Sequence, residues 1–240
     1  DAFGHRAIRR AVKRRNLRVA RAEFANSSLG RMDHKFPRGF AASLFDDGGA
    51  GFRDRLKIVW QSQAVAVRTS RRLMVNAMTE DRGTAQMHGP SDTFWRKENY
   101  PRDCFAHYHP PSDRRTLHHT KMLALFDADD GLLGVVAGSH NCSGAAWGVT
   151  EDDTFVVMSY ECGVLVFCDA DPERRAAILA MLPWRCPAPR YDLDAADEAR
   201  RDEPWSGTRL LDHLKPSGAL LARAAAAADA AATALLGDAP

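Results

Sequence analysis

Short apolar runs separated by polar turns dominate the second half of the chain. The runs are rich in β-branched and aromatic residues, which favours strands over helices. They predict buried, neighbouring strands of one sheet at residues 121–127, 133–139, 155–160 and 163–167. Two runs in the first half, 17–24 and 56–62, predict further strands.

A helical period is found at both ends of this strand-rich region. Residues 4–16 alternate small or apolar residues with basic residues at helical spacing, and residues 173–182 repeat that period. A short helix is also predicted at 64–77, and some helix within 91–107. The segment 26–40 contains small hydroxyl residues, two glycines and a proline, and is therefore predicted to be a loop.

Strands and helices together predict an α/β fold, a mixed sheet with helices on both faces. A chain of 240 residues with 45% hydrophobic residues is long enough for one large domain with a buried core. We place this domain at residues 1–210. Residues 211–240 are rich in alanine and leucine, and they predict a peripheral helix or tail.

Charge changes this picture at one place. The net charge of +2 gives no argument for nucleic acid, but seven of the 33 Lys and Arg residues fall between Arg6 and Arg18 with no acid among them. Such a run forms either a solvated helix face, which is the more common case, or a nucleic-acid contact.

Cysteine and histidine spacing gives no sign of a metal or a disulfide framework. The five cysteines include no CxxC pair, which indicates reduced thiols in a cytosolic or nuclear protein. His107 and His109 have no partner at metal-ligand spacing, so we expect no metal and no cofactor. No stretch reaches eighteen apolar residues, so no membrane span is predicted, and no signal-peptide core is recognised near residue 1.

The segment LHHTK at 117–121 carries the candidate chemistry. Residues two apart on a strand share a face, so His119 and Lys121 would place a proton donor beside an ammonium that neutralises phosphate, with His118 facing away. Asn141 ends the next predicted strand, and Ser143 can cap a short helix there. The alternatives without a functional role are a His-x-Lys triplet that arises by chance and an asparagine that only forms a turn.

The whole arrangement resembles the C-terminal half of the tyrosyl-DNA phosphodiesterase family, which belongs to the phospholipase D superfamily. His119-x-Lys121 is followed about twenty residues later by GSHNCSGAAWG and then by SYECGVLVF. FGHRAIRRAV, FANSSLG and RYDL with DEPW also match family segments in the same order, so the similarity runs from about residue 3 to about 205. The resemblance implies a phospholipase D-like mixed sheet in one half of a two-domain, pseudo-symmetric family.

The resemblance also implies a role for each matching residue. His119 matches the general acid toward a leaving tyrosine or other 3′ adduct, which then acts as the base that activates water. Lys121 and Asn141 match phosphate-oxygen ligands. Glu161 matches the carboxylate that hydrogen-bonds the other nitrogen of the histidine, a contact that supports an imidazolium. The alternative without a functional role is that Glu161 is a surface acid at a strand end.

Two serines complete the predicted site. Ser28 matches a contact to the DNA backbone phosphate, although the loop is one residue shorter than is usual in the family. Ser143 matches a residue that supports the phosphate pocket, but a helix cap explains it equally well. The resemblance thus implies DNA as partner, either single-stranded or with a protein adduct at its 3′ end. No membrane partner is expected, because no long apolar stretch is present.

The family carries two His-x-Lys motifs, and the first-half histidine is the nucleophile that forms a phosphohistidine. No His-x-Lys triplet precedes His119, since His34-Lys35 has no intervening residue. We therefore expect the general acid/base half of a nuclear DNA-repair enzyme, inactive alone, with the missing N-terminal half as a further partner. Two alternatives remain: another phospholipase D-type phosphodiesterase, and a non-catalytic module that binds single-stranded DNA or a partner protein.

Overall fold

A six-stranded mixed sheet forms the centre of the computed structural model, which describes residues 3–32, 35–62, 89–90, 92–111, 118–168, 171–196 and 201–204. These residues all belong to one unit, Asp1–Gly207. The predicted helix at 64–77 and the predicted Ala-rich tail at 211–240 lie outside the described residues.

The strands are β1 (Arg21–Asn26), β2 (Leu56–Trp60), β3 (Phe105–His107), β4 (Lys121–Phe126), β5 (Leu132–Gly138), β6 (Val149–Glu151), β7 (Thr154–Val156) and β8 (Gly163–Phe167). The main sheet has the strand order β3-β2-β1-β4-β5-β8. Strands β1 and β2, and β2 and β3, pair in parallel, whereas β4, β5 and β8 join by antiparallel pairing. Strands β6 and β7 form a separate two-stranded hairpin.

Helices lie on both faces of this sheet, which confirms the predicted α/β class. One 3₁₀ turn, Arg102–Cys104, precedes β3. No helix within the described residues is long and apolar enough to cross a membrane. The helices are α1 (Gly4–Arg14), α2 (Lys35–Leu44), α3 (Phe52–Arg55), α4 (Asp92–Trp95), α5 (Gly144–Trp147) and α6 (Pro172–Ala180).

Helices α1 and α2 cover one face. Ile8 and Val12 are buried because they recur four residues apart on one side of α1. On α2, Phe40 stacks on Phe24 of β1, with ring centroids 5.8 Å apart, and meets Trp147 of α5 edge-on at 5.2 Å. This aromatic cluster fixes α2 and α5 against the same side of the sheet.

Helix α6 and the segment after it cover the opposite face. The Asp171 side chain caps α6, and Pro172 occupies its first turn, where a missing N–H is tolerated. Ile178 and Leu179 pack against a buried cluster that includes Ala25 and Trp184. The sheet is therefore covered on both sides, as in other α/β domains.

The structure departs from the predicted elements at three places. Of the predicted strand 155–160, only residues 155–156 are extended, as part of the strand Thr154–Val156. This strand pairs across a two-residue Asp152-Asp153 turn rather than joining the main sheet. Both turn residues have positive φ, as a tight hairpin requires. The predicted loop 26–40 contains the start of α2, and the region 91–107 contains β3 as well as helix.

Candidate active site

His119 and Lys121 lie side by side where β4 begins. The Nζ of Lys121 is 3.2 Å from Nε2 and 3.4 Å from Nδ1 of His119. An ammonium donates, so an unprotonated ring nitrogen of His119 accepts here. The strand starts at Lys121 rather than at His119, yet the predicted neighbourhood is formed. One bound anion could therefore meet a proton-transfer group and a cation together.

Lys121 is held from its other side by the loop after β1. Its ammonium donates to Oγ of Ser27 at 2.9 Å, because Asn26 and Lys121 are paired across β1 and β4. Burial lowers the pKa of Lys121, and the Glu161 carboxylate opposes that shift. Glu161 thus favours the charged ammonium that a phosphate would require.

Asn141 is brought to this place by backbone pairing between two loops. The N–H of Cys142 donates to the carbonyl of Ser28 at 3.2 Å, and the N–H of Gly30 donates to the carbonyl of Cys142 at 3.0 Å. The loop that holds Ser27 is therefore joined to the loop that holds Asn141. The Oδ1 of Asn141 is buried and has no hydrogen-bond partner within the described part of the chain, and the Nδ2 amino group of the same amide is the donor that a phosphate oxygen would require.

The two predicted serines occupy different positions in this arrangement. Ser28 contributes its backbone to the loop pairing, and its neighbour Ser27 contacts Lys121 through its side chain. Ser143 caps α5, with its Oγ accepting from the N–H of Ala146 at 3.2 Å, so the cap is formed. Helix α5 has only four residues and offers no helix N-terminus for an anion. Phosphate or DNA contacts by Ser28 and Ser143 stay predictions.

Glu161 lies on the segment between β7 and β8, half-buried. Its carboxylate raises the pKa of both Lys121 and His140, against the larger effect of burial on each. Glu161 and His140 line one cavity of 610 Å³. Glu161 forms no hydrogen bond with His119 among the residues that the structure describes, so the Glu161–His119 contact stays a prediction.

Sequence reasoning missed the contact of Ser27 with Lys121 and left the role of His140 open. The FANSSLG segment names both serines, but it does not say which side chain points toward Lys121. The His140 ring packs against Trp147 at a tilt of 31°, with ring centroids 4.3 Å apart, and its buried Nδ1 has no partner within the described ranges. No spacing rule singled His140 out, because only the packing of α5 reveals it.

His118 is buried and points away from the site, as its position next to His119 predicts. Its ring stacks on Tyr108 at 3.8 Å, and neither ring nitrogen has a hydrogen-bond partner among the described residues. Burial, together with the charges of Lys121 and His119, lowers the pKa of His118 to about 3. His118 is therefore neutral in the folded protein and acts as a packing residue.

We expect His118→Phe to flatten the loss of stability in acid. Below pH 6.5 the unfolded chain protonates His118 and the folded chain does not, so stability falls as the pH drops toward 3. One such group contributes at most about 1.4 kcal/mol per pH unit. The free energy of unfolding in urea, measured from pH 7.5 to 4.5, should fall less steeply in the variant. Equal slopes in the two proteins would contradict this assignment.

The other histidine pair has partners within the fold. His107 Nε2 lies 2.8 Å from Oδ2 of Asp202, and the His107 and His109 rings stack with centroids 5.2 Å apart. Within the described residues, no group of three or more His, Cys, Asp or Glu side chains is arranged to hold a metal ion.

A family model described as tyrosyl-DNA phosphodiesterase matches residues 60–192, more than half of the chain. The chain belongs to the tyrosyl-DNA phosphodiesterase family. The matched segment contains His119, Lys121, Asn141 and Glu161, so most of the candidate site lies within the family's own sequence pattern. Ser27 and Ser28 precede the matched segment.

Solved structures of the tyrosyl-DNA phosphodiesterase from yeast share the fold. One aligns with 85% of this chain at a TM-score of 0.57 and 17% identity, and a histidine-to-alanine mutant of the yeast enzyme aligns with 85% at 0.56 and 16%. At this identity the likeness shows the fold alone. The chain covers 53% and 54% of those two chains, so it spans about half their length. A comparison with curated proteins finds no match.

A second His-x-Lys triplet, His213-Leu214-Lys215, follows the segment matched to tyrosyl-DNA phosphodiesterases. It lies outside the described residues. No asparagine follows it, whereas Asn141 follows the triplet at His119. The spacing of the second family motif is therefore met at His119 and not at His213.

Proposed function

We propose that this chain acts in DNA repair, as the general acid/base half of an enzyme that hydrolyses the phosphodiester between a DNA 3′ end and tyrosine or a similar adduct. One observation carries the proposal: the Lys121 ammonium lies between His119, at 3.2 Å, and Ser27, at 2.9 Å, and the loop of Ser27 is joined by backbone hydrogen bonds to the loop of Asn141. A site of proton-transfer group, cation and amide suits a phosphodiester whose leaving oxygen requires a proton.

In this proposal the reaction has two steps. A histidine of the missing N-terminal half attacks phosphorus, the P–O bond to tyrosine breaks, and His119 gives a proton to the phenolic oxygen. In the second step His119 takes a proton from water, which attacks phosphorus and breaks the P–N bond of the phosphohistidine. A 3′-phosphate is released. Lys121 and Asn141 bind the non-bridging oxygens throughout.

The setting follows from that substrate. We propose that the protein binds DNA at a 3′ end, removes the adduct as a 3′ end-directed nuclease does, and works in the nucleus. The half that would supply the nucleophile is the partner that the proposal requires. The apolar edge strand β8, where Val164 is 63% exposed and Val166 44%, is consistent with a surface that another domain covers.

External imidazole tests this assignment, because it can replace a missing histidine nucleophile. The full chain is incubated with a single-stranded oligonucleotide that ends in 3′-phosphotyrosine. We expect the chain to release little tyrosine when no imidazole is added. The release should rise with imidazole concentration and exceed the release by imidazole without protein. The absence of imidazole-dependent release would overturn the proposal. Release without imidazole that depends on His119 would overturn only the claim that the nucleophile is missing.

We expect Lys121→Gln to remove the preference of the chain for an oligonucleotide that ends in 3′-phosphate over one that ends in 3′-hydroxyl. A hydrogen bond to a charged group contributes about 1.5–3 kcal/mol, so the preference should fall by about 10–100-fold. Fluorescence anisotropy measures both affinities. Lys97→Gln is the matched control, since the Lys97 side chain is exposed and its ammonium lies over the Phe94 ring, 4.3 Å from the ring centre. An unchanged preference in Lys121→Gln would contradict the phosphate role.

A further inference from the structure

A groove between α1 and α2 carries a dense row of cations that the proposed chemistry does not use. It is a cavity of 820 Å³. One wall is made of long basic side chains and the other of small residues, which leaves the groove open. The lining residues are Arg6, Arg9, Arg10, Lys13 and Arg14 of α1, Gly39, Ala42 and Ser43 of α2, and His5 and Thr150.

No acidic side chain among the described residues neutralises the positive charge of this groove. The described residues that line it include no Asp or Glu. Arg9, Arg10, Lys13 and Arg14 are exposed, and none of the four forms a hydrogen bond or an ion pair with another described residue. Glu151 follows Thr150 on β6. Because successive side chains of a strand point to opposite sides, the Glu151 carboxylate points away from the groove that Thr150 lines. The row is therefore available to an external anion.

The base of the groove is rigid and neutral. The buried Nδ1 of His5 lies 2.6 Å from Oγ of Ser43 and so links α1 to α2. Burial, with a smaller effect of Arg6, lowers the pKa of His5 to about 4. Arg6 is fixed at one end, where it donates to Oγ1 of Thr150 at 3.2 Å and lies 4.3 Å from the centre of the Phe155 ring. The cations are thus presented by a fixed scaffold.

We propose that the α1–α2 groove binds the sugar-phosphate backbone of a nucleic-acid strand. Helix α1 has 11 residues and is about 16 Å long, and its cations continue along that whole length. A strand carries one phosphate about every 3.4 Å in duplex geometry, so a continuous row of cations matches its regular charge. Ion pairs of this kind give affinity without sequence preference.

A membrane surface fits these observations less well. Helices that lie on a membrane insert an exposed apolar face, but Ile8 and Val12 of α1 are buried in the protein. The choice of nucleic acid over an acidic protein rests on the proposed function. Phe3 and Gly4, at the start of α1, line the cavity that also contains Glu161 and His140. If the 3′ end of a strand lay in that cavity, the nucleotides that precede this end could lie along the α1–α2 groove.

The salt dependence of binding tests this inference. The full chain is titrated against a fluorescent single-stranded oligonucleotide of about 15 nucleotides with a 3′-hydroxyl, so that no terminal phosphate recruits Lys121. Each single-strand phosphate contact contributes about 0.7 to the slope of log K against log salt. Arg9→Gln combined with Lys13→Gln should therefore lower the slope by about 1.4, and an unchanged slope would overturn the inference.

Arg174→Gln with Arg185→Gln is the matched control. It removes the same charge from α6 and the segment that follows, which lie on the opposite face of the sheet, and we expect it to leave the slope unchanged. An equal loss in the control would show a general effect of net charge and overturn the groove. Circular dichroism checks that both double variants are folded.

Two further measurements test whether the bound partner is a membrane and whether the strand binds elsewhere on the protein. Binding to vesicles that contain phosphatidylserine, without binding to the oligonucleotide, would overturn the choice of nucleic acid. A slope that fell in Lys121→Gln but not in Arg9→Gln with Lys13→Gln would place the strand at the phosphate site and overturn the inference. The salt titration measures binding and not hydrolysis. Its outcome therefore does not depend on whether the imidazole reaction succeeds, and the two proposals can fail separately.

Discussion

Alanine in place of His119 should lower the imidazole-dependent release of tyrosine by about 10²–10⁴-fold, the usual contribution of a general acid. The phenolic oxygen of tyrosine has a pKa of about 10, so it leaves slowly without a proton. The ring of His119, 3.2 Å from the Lys121 ammonium, is the proton-transfer group next to the proposed phosphate position. Initial rates at saturating oligonucleotide measure the effect.

His118→Phe is the matched control for that experiment. His118 is the adjacent histidine, but its ring is buried against Tyr108, and we expect its replacement to leave the rate within a few-fold of the unmodified chain. A nitrophenyl adduct, whose leaving group is far more acidic than tyrosine, gives the second comparison. His119→Ala should slow the nitrophenyl reaction much less. Equal losses for both adducts would contradict a general-acid role.

The part of the site that sequence could predict depends on local spacing. His119 and Lys121 are two residues apart, and this spacing is sufficient to bring the two side chains together at the start of β4. The family pattern added Asn141, which the structure joins to the same place through the Ser28–Cys142 backbone pairing. These relationships are short in sequence or are carried by one motif, so they could be read before any fold was known.

The part that sequence could not predict depends on contacts between distant segments. Ser27 contacts Lys121 because of the register of β1 against β4, and 94 residues separate the two. A run of three residues such as β3 is too short to show a period. Helix α2 was hidden because glycines and a proline marked a loop, although Pro37 occupies the first turn, where helices tolerate proline.

Glu23→Ala should lower the free energy of unfolding by about 3–5 kcal/mol, the usual cost of breaking a buried charge pair. Glu23 is fully buried in β1, where Lys57 lies 3.4 Å from its carboxylate and Arg21 contacts it directly. Trp184 Nε1 donates to the carboxylate at 2.9 Å and the Ala188 N–H at 3.1 Å. The carboxylate therefore fixes the segment after α6 to the sheet, and its removal leaves buried donors and a cation unpaired. Urea unfolding measures the loss.

Glu151→Ala is the control for Glu23→Ala, since it removes an exposed acid and should change stability by no more than about 0.5 kcal/mol. Cys186 supplies a second readout that does not require full unfolding. Burial and the Glu23 carboxylate raise the pKa of its thiol to about 12, and the thiol donates to that carboxylate at 3.2 Å. Because thiolates are the reactive form, Cys186 should resist alkylation in the unmodified chain and react faster in Glu23→Ala. If Cys186 reacted equally fast in both proteins, and Glu23→Ala unfolded at the same urea concentration as Glu151→Ala, the carboxylate would not be what holds this segment on the sheet.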